Sequence, residues 1–91
     1  MALKWTSRAN LDLARLHAFL DPVDPAAAAD AVDLILSGVE SIAAHPRLGR
    51  RLFLYDPREV RRLVVADYEV RYELTARDIY ILRLWYVRED R

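Results

Sequence analysis

The stretch VRRLVVADYEVRYELTARDIYILRLWYV, residues 60–87, decides the fold. It is rich in β-branched and aromatic residues that alternate with charged ones at a period of two, the pattern of strands with one face on a core. Three strands are predicted, over 60–65, 68–74 and 79–87. The connections Ala66-Asp67 and Thr75-Ala76-Arg77-Asp78 are short enough for antiparallel hairpins, although Ala66-Asp67 lacks the glycine that a two-residue turn favours, which leaves the register open. In the middle strand Tyr68, Val70, Tyr72 and Leu74 share one parity and point to the core, while Glu69, Arg71 and Glu73 are expected on an open face. The last strand resists such a division. Tyr80, Leu82, Leu84 and Tyr86 alternate with Ile79, Ile81, Arg83, Trp85 and Val87, so both faces are apolar, as in a central strand or one covered by another polypeptide.

Upstream of this stretch, RLFLY at 51–55 reads as a short strand and the following DPRE as a turn. At the other end of the chain, ALKWT at 2–6 reads as a strand entering the fold, and Thr6 or Ser7 offers an oxygen to cap the helix behind it. That helix runs from about Ser7 to Leu20. Its main stripe is Ala9, Leu13, Leu16 and Leu20; Leu11, Ala14 and Ala18 form a second seam of smaller residues, which needs a contact of its own. After the loop DPVDP, Asp24 caps and Pro25 starts a second helix that continues to about Ala44, where His45 and Pro46 close it. Ala28, Val32, Ile35, Leu36, Val39, Ile42 and Ala43 are expected on its buried face.

Ninety-one residues suit a single domain, 1–91, because two cores would leave each half below the roughly 50 residues a domain usually needs. The order of elements predicts an α+β fold: an N-terminal strand and a helical hairpin packed on one face of a mostly antiparallel C-terminal sheet of three or four strands. An apolar fraction of 54% in so small a chain leaves surplus apolar surface, which hints at a partner. The charges cancel overall but not by halves: residues 1–46 carry three basic and six acidic groups, residues 47–91 eleven and eight. The absence of cysteine suits a reducing compartment, and no run reaches the about 18 apolar residues of a membrane span, so a cytoplasmic location away from membranes is expected. No cofactor and no metal site are expected, since there is no clustered His/Cys set and no Gly-rich phosphate loop; Asp21, Asp24, Asp30 and Asp33 read as loop, cap and helix surface.

The run VRRLVVADYEVRY followed by IYILRLWYVRED resembles the ParE/RelE superfamily of type II toxin-antitoxin toxins, closer to ParE, in Arg61, Leu63, Val64, Val65, Tyr68 and Tyr72. Trp5-Thr6 before the first helix and HPRLGR at 45–50 after the second extend the resemblance over nearly the whole chain. It implies a toxin neutralised by a ParD-like antitoxin that lays helical and extended segments over it, with Leu11, Ala14, Ala18, Ile81, Arg83 and Trp85 receiving the antitoxin.

Two activities compete within such a superfamily. A ParE-like chain implies an inhibitor of DNA gyrase with no catalytic residues, whose target contacts would include Arg61, Arg71 and Arg88. A RelE-like chain implies a ribosome-dependent messenger RNA endoribonuclease, for which Arg61, Arg83, Tyr86 and Arg88 are the candidates; a degenerate, non-toxic binding module is a third possibility. Cleavage by the ribose 2′-hydroxyl needs a proton acceptor, and arginine is a poor one. His17 and His45 belong to the helical half, and Glu69 stands where nuclease relatives commonly carry arginine. The residues therefore favour binding over cutting, without direct sequence-specific recognition of nucleic acid. Charges on the open face, such as Glu69 beside Arg61 or Arg71, also fit a solvated cross-strand ion pair.

Overall fold

A computed structural model describes residues 1–88. The chain opens with strand β1 (Ala2–Trp5) and turns at Thr6 into helix α1 (Ser7–Leu20). Thr6 serves both elements: its hydroxyl accepts from the Ala9 N–H at 3.2 Å and lies 2.8 Å from the Ile81 carbonyl on the last strand. Helix α2 (Pro25–Ala44) begins as predicted, with the Asp24 carboxylate accepting from the N–H groups of Ala26 and Ala27. It ends before Pro46.

The buried side of α2 is rotated from the expected one. Leu36 and Ala43 are exposed, and Ala31 and Gly38 are buried with Ala28, Ile35, Val39 and Ile42. The cause is close approach: a Cβ at Gly38 would lie 2.5 Å from Val65 Cγ2, so the helix settles on the sheet along its smallest residues.

Four further strands follow: β2 (Arg50–Arg51), β3 (Glu59–Val65), β4 (Tyr68–Leu74) and β5 (Asp78–Tyr86). The sheet has five strands in the order β1-β5-β4-β3-β2, antiparallel except that β1 lies parallel to β5. The N-terminal strand is thus a member of the sheet, beyond the three or four C-terminal strands expected. Residues 51–55 do not form the predicted strand; pairing stops at Arg51, and Phe53–Tyr55 is a 3₁₀ turn. Here the Tyr55 N–H donates to Leu52 O, the Asp56 N–H donates to Phe53 O, and Arg51 pairs with Asp56 at 2.9 Å, so local bonds replace the ladder.

The Ala66-Asp67 hairpin forms without glycine. Ala66 takes φ 53°, which fixes Val65 opposite Tyr68 and sets the register that the sequence left open. A left-handed L-residue costs about 1–2 kcal/mol, which the seven paired positions of β3 and β4 offset.

The puzzle of β5 has a simple solution. Arg71 pairs with Arg83 but the next residue, Tyr72, pairs with Ile81, so Leu82 is an extra residue in a β-bulge. Parity switches there. Ile79 and Ile81 before the bulge and Leu84 after it all face the helices and are fully buried with Val70 and Tyr72.

Candidate functional site

Along α1 the main stripe meets the sheet as expected: Ala9 and Leu16 are buried, Leu13 and Leu20 partly so. Position 12 belongs to this stripe by helical spacing, yet it holds an aspartate. Asp12, 5% exposed, accepts from the Leu84 N–H at 2.9 Å and from Arg83 Nε at 2.7 Å and Nη2 at 3.2 Å. Since β1 ends at Trp5, opposite Ile81, the outer edge of β5 beyond it has no neighbouring strand, and Thr6 and Asp12 satisfy its backbone in place of one. Burial pushes the Asp12 carboxyl up. The hydrogen bonds from Arg83 and Leu84 and the nearby charges of Arg83 and Arg15 outweigh this, and hold it below the usual carboxylate range.

The second seam of α1 is uncovered. Leu11 is 66% exposed, and Ala14 and Ala18 are also exposed. Arg15 and Phe19, at four-residue steps from Leu11, carry this surface into a cleft of about 570 Å³ lined by Arg15, Leu16, Phe19, Leu20, Tyr68, Tyr86 and Arg88. Its floor is apolar and aromatic, with Tyr68 and Tyr86 meeting edge to face at 5.8 Å, and its rim carries two arginines. Burial pushes the Tyr68 phenol up, so at neutral pH it stays protonated. Arg15, Phe19 and Tyr68 were not among the residues expected here; the Leu11, Arg15, Phe19 spacing could have found the first two, whereas Tyr68, on β4, reaches the cleft only through packing.

The open face differs from the wet ion-paired surface foreseen. Glu69 is on it, but it is only 1% exposed, roofed by side chains of its own sheet. It pairs with Arg71 at 2.7 Å and with Arg62 at 3.2 Å, not with Arg61. Trp85, across the ladder from Glu69, has the Arg71 and Arg83 guanidinium groups 4.5 and 5.1 Å from its ring. Glu73 is held by Arg58 at 2.7 Å, a hydrogen bond that keeps its carboxyl below the ordinary range.

Arg61, expected in a cationic patch on this face, lies on the opposite one, because it pairs with Tyr72, which faces the helices. There it donates to Gly49 O at 2.7 Å and to Glu59 at 2.9 Å. Tyr72 locks the same loop: its hydroxyl accepts from the Gly49 N–H and donates to Pro46 O, each at 2.8 Å. A Cβ at Gly49 would sit 2.7 Å from that hydroxyl, which is why HPRLGR needs glycine there.

The expected residues are therefore dispersed. Leu11, Ala14 and Ala18 lie together on α1; Arg88 and Tyr86 line the cleft; Arg83 and Trp85 lie beyond the bulge; Arg71 covers Glu69. Ile81, expected to meet an antitoxin, is a correction: the bulge turns it inward and leaves it 0% exposed. Of the nuclease candidates Arg61, Arg83, Tyr86 and Arg88, Tyr86 and Arg88 line one cleft, Arg61 lies opposite Tyr72 and Arg83 holds Asp12, and His17 and His45 are exposed on the helical half. Among the described residues no helix is long and apolar enough to cross a membrane.

Comparison with known proteins agrees in fold and length. The family model described as ParE toxin of type II toxin-antitoxin system, parDE, matches residues 3–91. The chain is 34% identical over 90 residues to protein Y4kP of Sinorhizobium fredii, covering 97% of this chain and 90% of that one. It is also similar to a solved structure, described as the chromosomal ParDE TA system from P. aeruginosa, with a TM-score of 0.80, 26% identity and 97% of each chain covered.

Proposed function

The chain belongs to the ParE toxin family of type II toxin-antitoxin systems, and from that premise we propose that it is a protein inhibitor of DNA gyrase, held inactive by a ParD-like antitoxin. The observation that carries the antitoxin half of this reading is the uncovered α1 seam running into the cleft beside Tyr68 and Tyr86. Small residues at Ala14 and Ala18 allow a partner helix to approach closely, and a side chain entering the cleft would bury Phe19, which is 77% exposed. Fully burying such a side chain is worth about 1.5–3 kcal/mol. Arg15 and Arg88 at the rim suit acidic flanks on that segment.

Inhibition by binding, rather than RNA cleavage, is supported by the dispersal of Arg61, Arg83 and Tyr86 and by the engagement of Glu69 and Glu73 with arginines. Gyrase is the target that this family membership favours. In a supercoiling assay, purified gyrase should lose activity as the chain is added and recover it when a ParD-like antitoxin follows. Full supercoiling at saturating chain would reject gyrase; new messenger cleavage on ribosomes would move the reading to a nuclease. Expression without growth arrest would leave a non-toxic binding module.

A further inference from the structure

We propose that the 3₁₀ turn Phe53–Tyr55 is the chain's contact with its target, a convex apolar knuckle that inserts into an apolar pocket ringed by carboxylates on a protein surface. This rests on the toxin reading above, but not on which protein is the target. Phe53 is 71% exposed and Leu54 90% exposed, side by side, in a chain that buries its other strand-region aromatics at least partly. A flexible loop would lose entropy on docking; this turn is already braced. Besides its own backbone bonds it is tied by Arg51 to Asp56 and by Arg71 Nη1, which donates to the Tyr55 hydroxyl at 3.1 Å. Aromatic anchors and arginines carry a large share of the binding energy at protein interfaces, and an anchor braced beforehand loses less entropy on docking.

Charge selects the partner. Behind the knuckle lies an open cleft of about 290 Å³ lined in part by Arg50, Arg51 and Arg71. Arg50 is exposed and forms none of the ion pairs among the described residues, so it is available to a carboxylate. A nucleic acid fits less well: the Arg51 guanidinium lies 5.3 Å from the Phe53 ring centroid, over one of its two faces, and Leu54 offers a base nothing to stack on. Position matters too. Tyr55 leans over the open face at the β2 edge, whereas the α1 seam belongs to the helical face at the β1–β5 side. Antitoxin and target surfaces are therefore separate.

The test compares the wild-type chain with the double variant Phe53→Ser/Leu54→Ser and with Arg50→Glu, reading growth arrest on expression, gyrase inhibition and thermal melting. Both variants should melt as wild type does, fail to arrest growth, and need at least about tenfold more protein for half-inhibition. Should the double variant melt early, Arg50→Glu, which alters only an exposed side chain, decides alone. Growth arrest at wild-type level by a folded variant overturns the knuckle. Growth arrest by wild type without gyrase inhibition removes gyrase as the target, while the arrest comparison still judges the knuckle. A wild-type chain that arrests no growth overturns both ideas, and duplex DNA retarded in a gel by wild type but not by the double variant assigns the knuckle to nucleic acid and overturns the proposal.

Discussion

Asp12 stands at a core position of α1, between Ala9 and Leu16, and does what no apolar residue could do there: it accepts from the edge N–H of Leu84 and from Arg83 at once. Asp12→Asn keeps the shape but loses the charge, and is expected to lower unfolding free energy by about 1.5–3 kcal/mol at pH 7, measured in urea. The carboxyl is held below its ordinary range, so its contribution is complete above an unfolded value of about 4 and is lost as pH falls through the lower folded value. The difference between wild type and Asp12→Asn should therefore shrink on acidification below about pH 4. A constant difference down to pH 2.5 or so would mean that the charge of Asp12 contributes nothing. Asp12 was legible as an oddity of spacing; its partners, more than 70 residues away, were not.

At the scale of elements, both helices and β3, β4 and β5 follow the periodicities of their own residues, as Asp24-Pro25 at the head of α2 and Tyr68-x-Val70-x-Tyr72 in β4 illustrate. The exceptions have tertiary causes. Gly38 against Val65 rotates α2, Arg51 and Asp56 fold residues 53–55 into a turn, and the bulge at Leu82 inverts β5. Deleting Leu82 tests the last of these. Regular alternation in the shortened strand would keep Ile79, Ile81, Leu84 and Tyr86 on the helix side and Arg83 and Trp85 on the open face, so the same core set would be presented without a bulge. The deletion should therefore leave a cooperative native melt by circular dichroism, lowered only by the loss of the half-buried Leu82 side chain. A chain left unfolded by the deletion would show that Leu82 does more than correct the parity of β5.

Across the whole molecule, several large apolar side chains are exposed singly, Val23, Leu48 and Val64 among them, whereas Leu11 and Phe19 on the α1 seam with its cleft, and Phe53 and Leu54 in the knuckle at the far edge of the sheet, mark two separate places. The arginine excess of the second half is largely absorbed internally, since Arg58, Arg61, Arg62, Arg71 and Arg83 each bond a carboxylate. Separation of surfaces makes Ala14→Glu informative. An exposed glutamate on α1 should leave melting and gyrase inhibition unchanged while weakening a ParD-like antitoxin at least about tenfold in titration calorimetry. Antitoxin affinity equal to wild type would remove the α1 seam from the interface.

Sequence alone determined the elements that depend on near neighbours: the helix caps, the hairpin strands, the α+β order and the family pattern running from Trp5 to Tyr72. Only the tertiary structure decided that Glu69 is buried, that Arg61 faces the helices, that Ile81 turns inward and that residues 53–55 project. Periodicity records which side of its own element a residue takes. Which strand lies beside it, which charge lies within bonding distance and where the ladder slips by one residue are set by groups distant in the chain that only packing brings together.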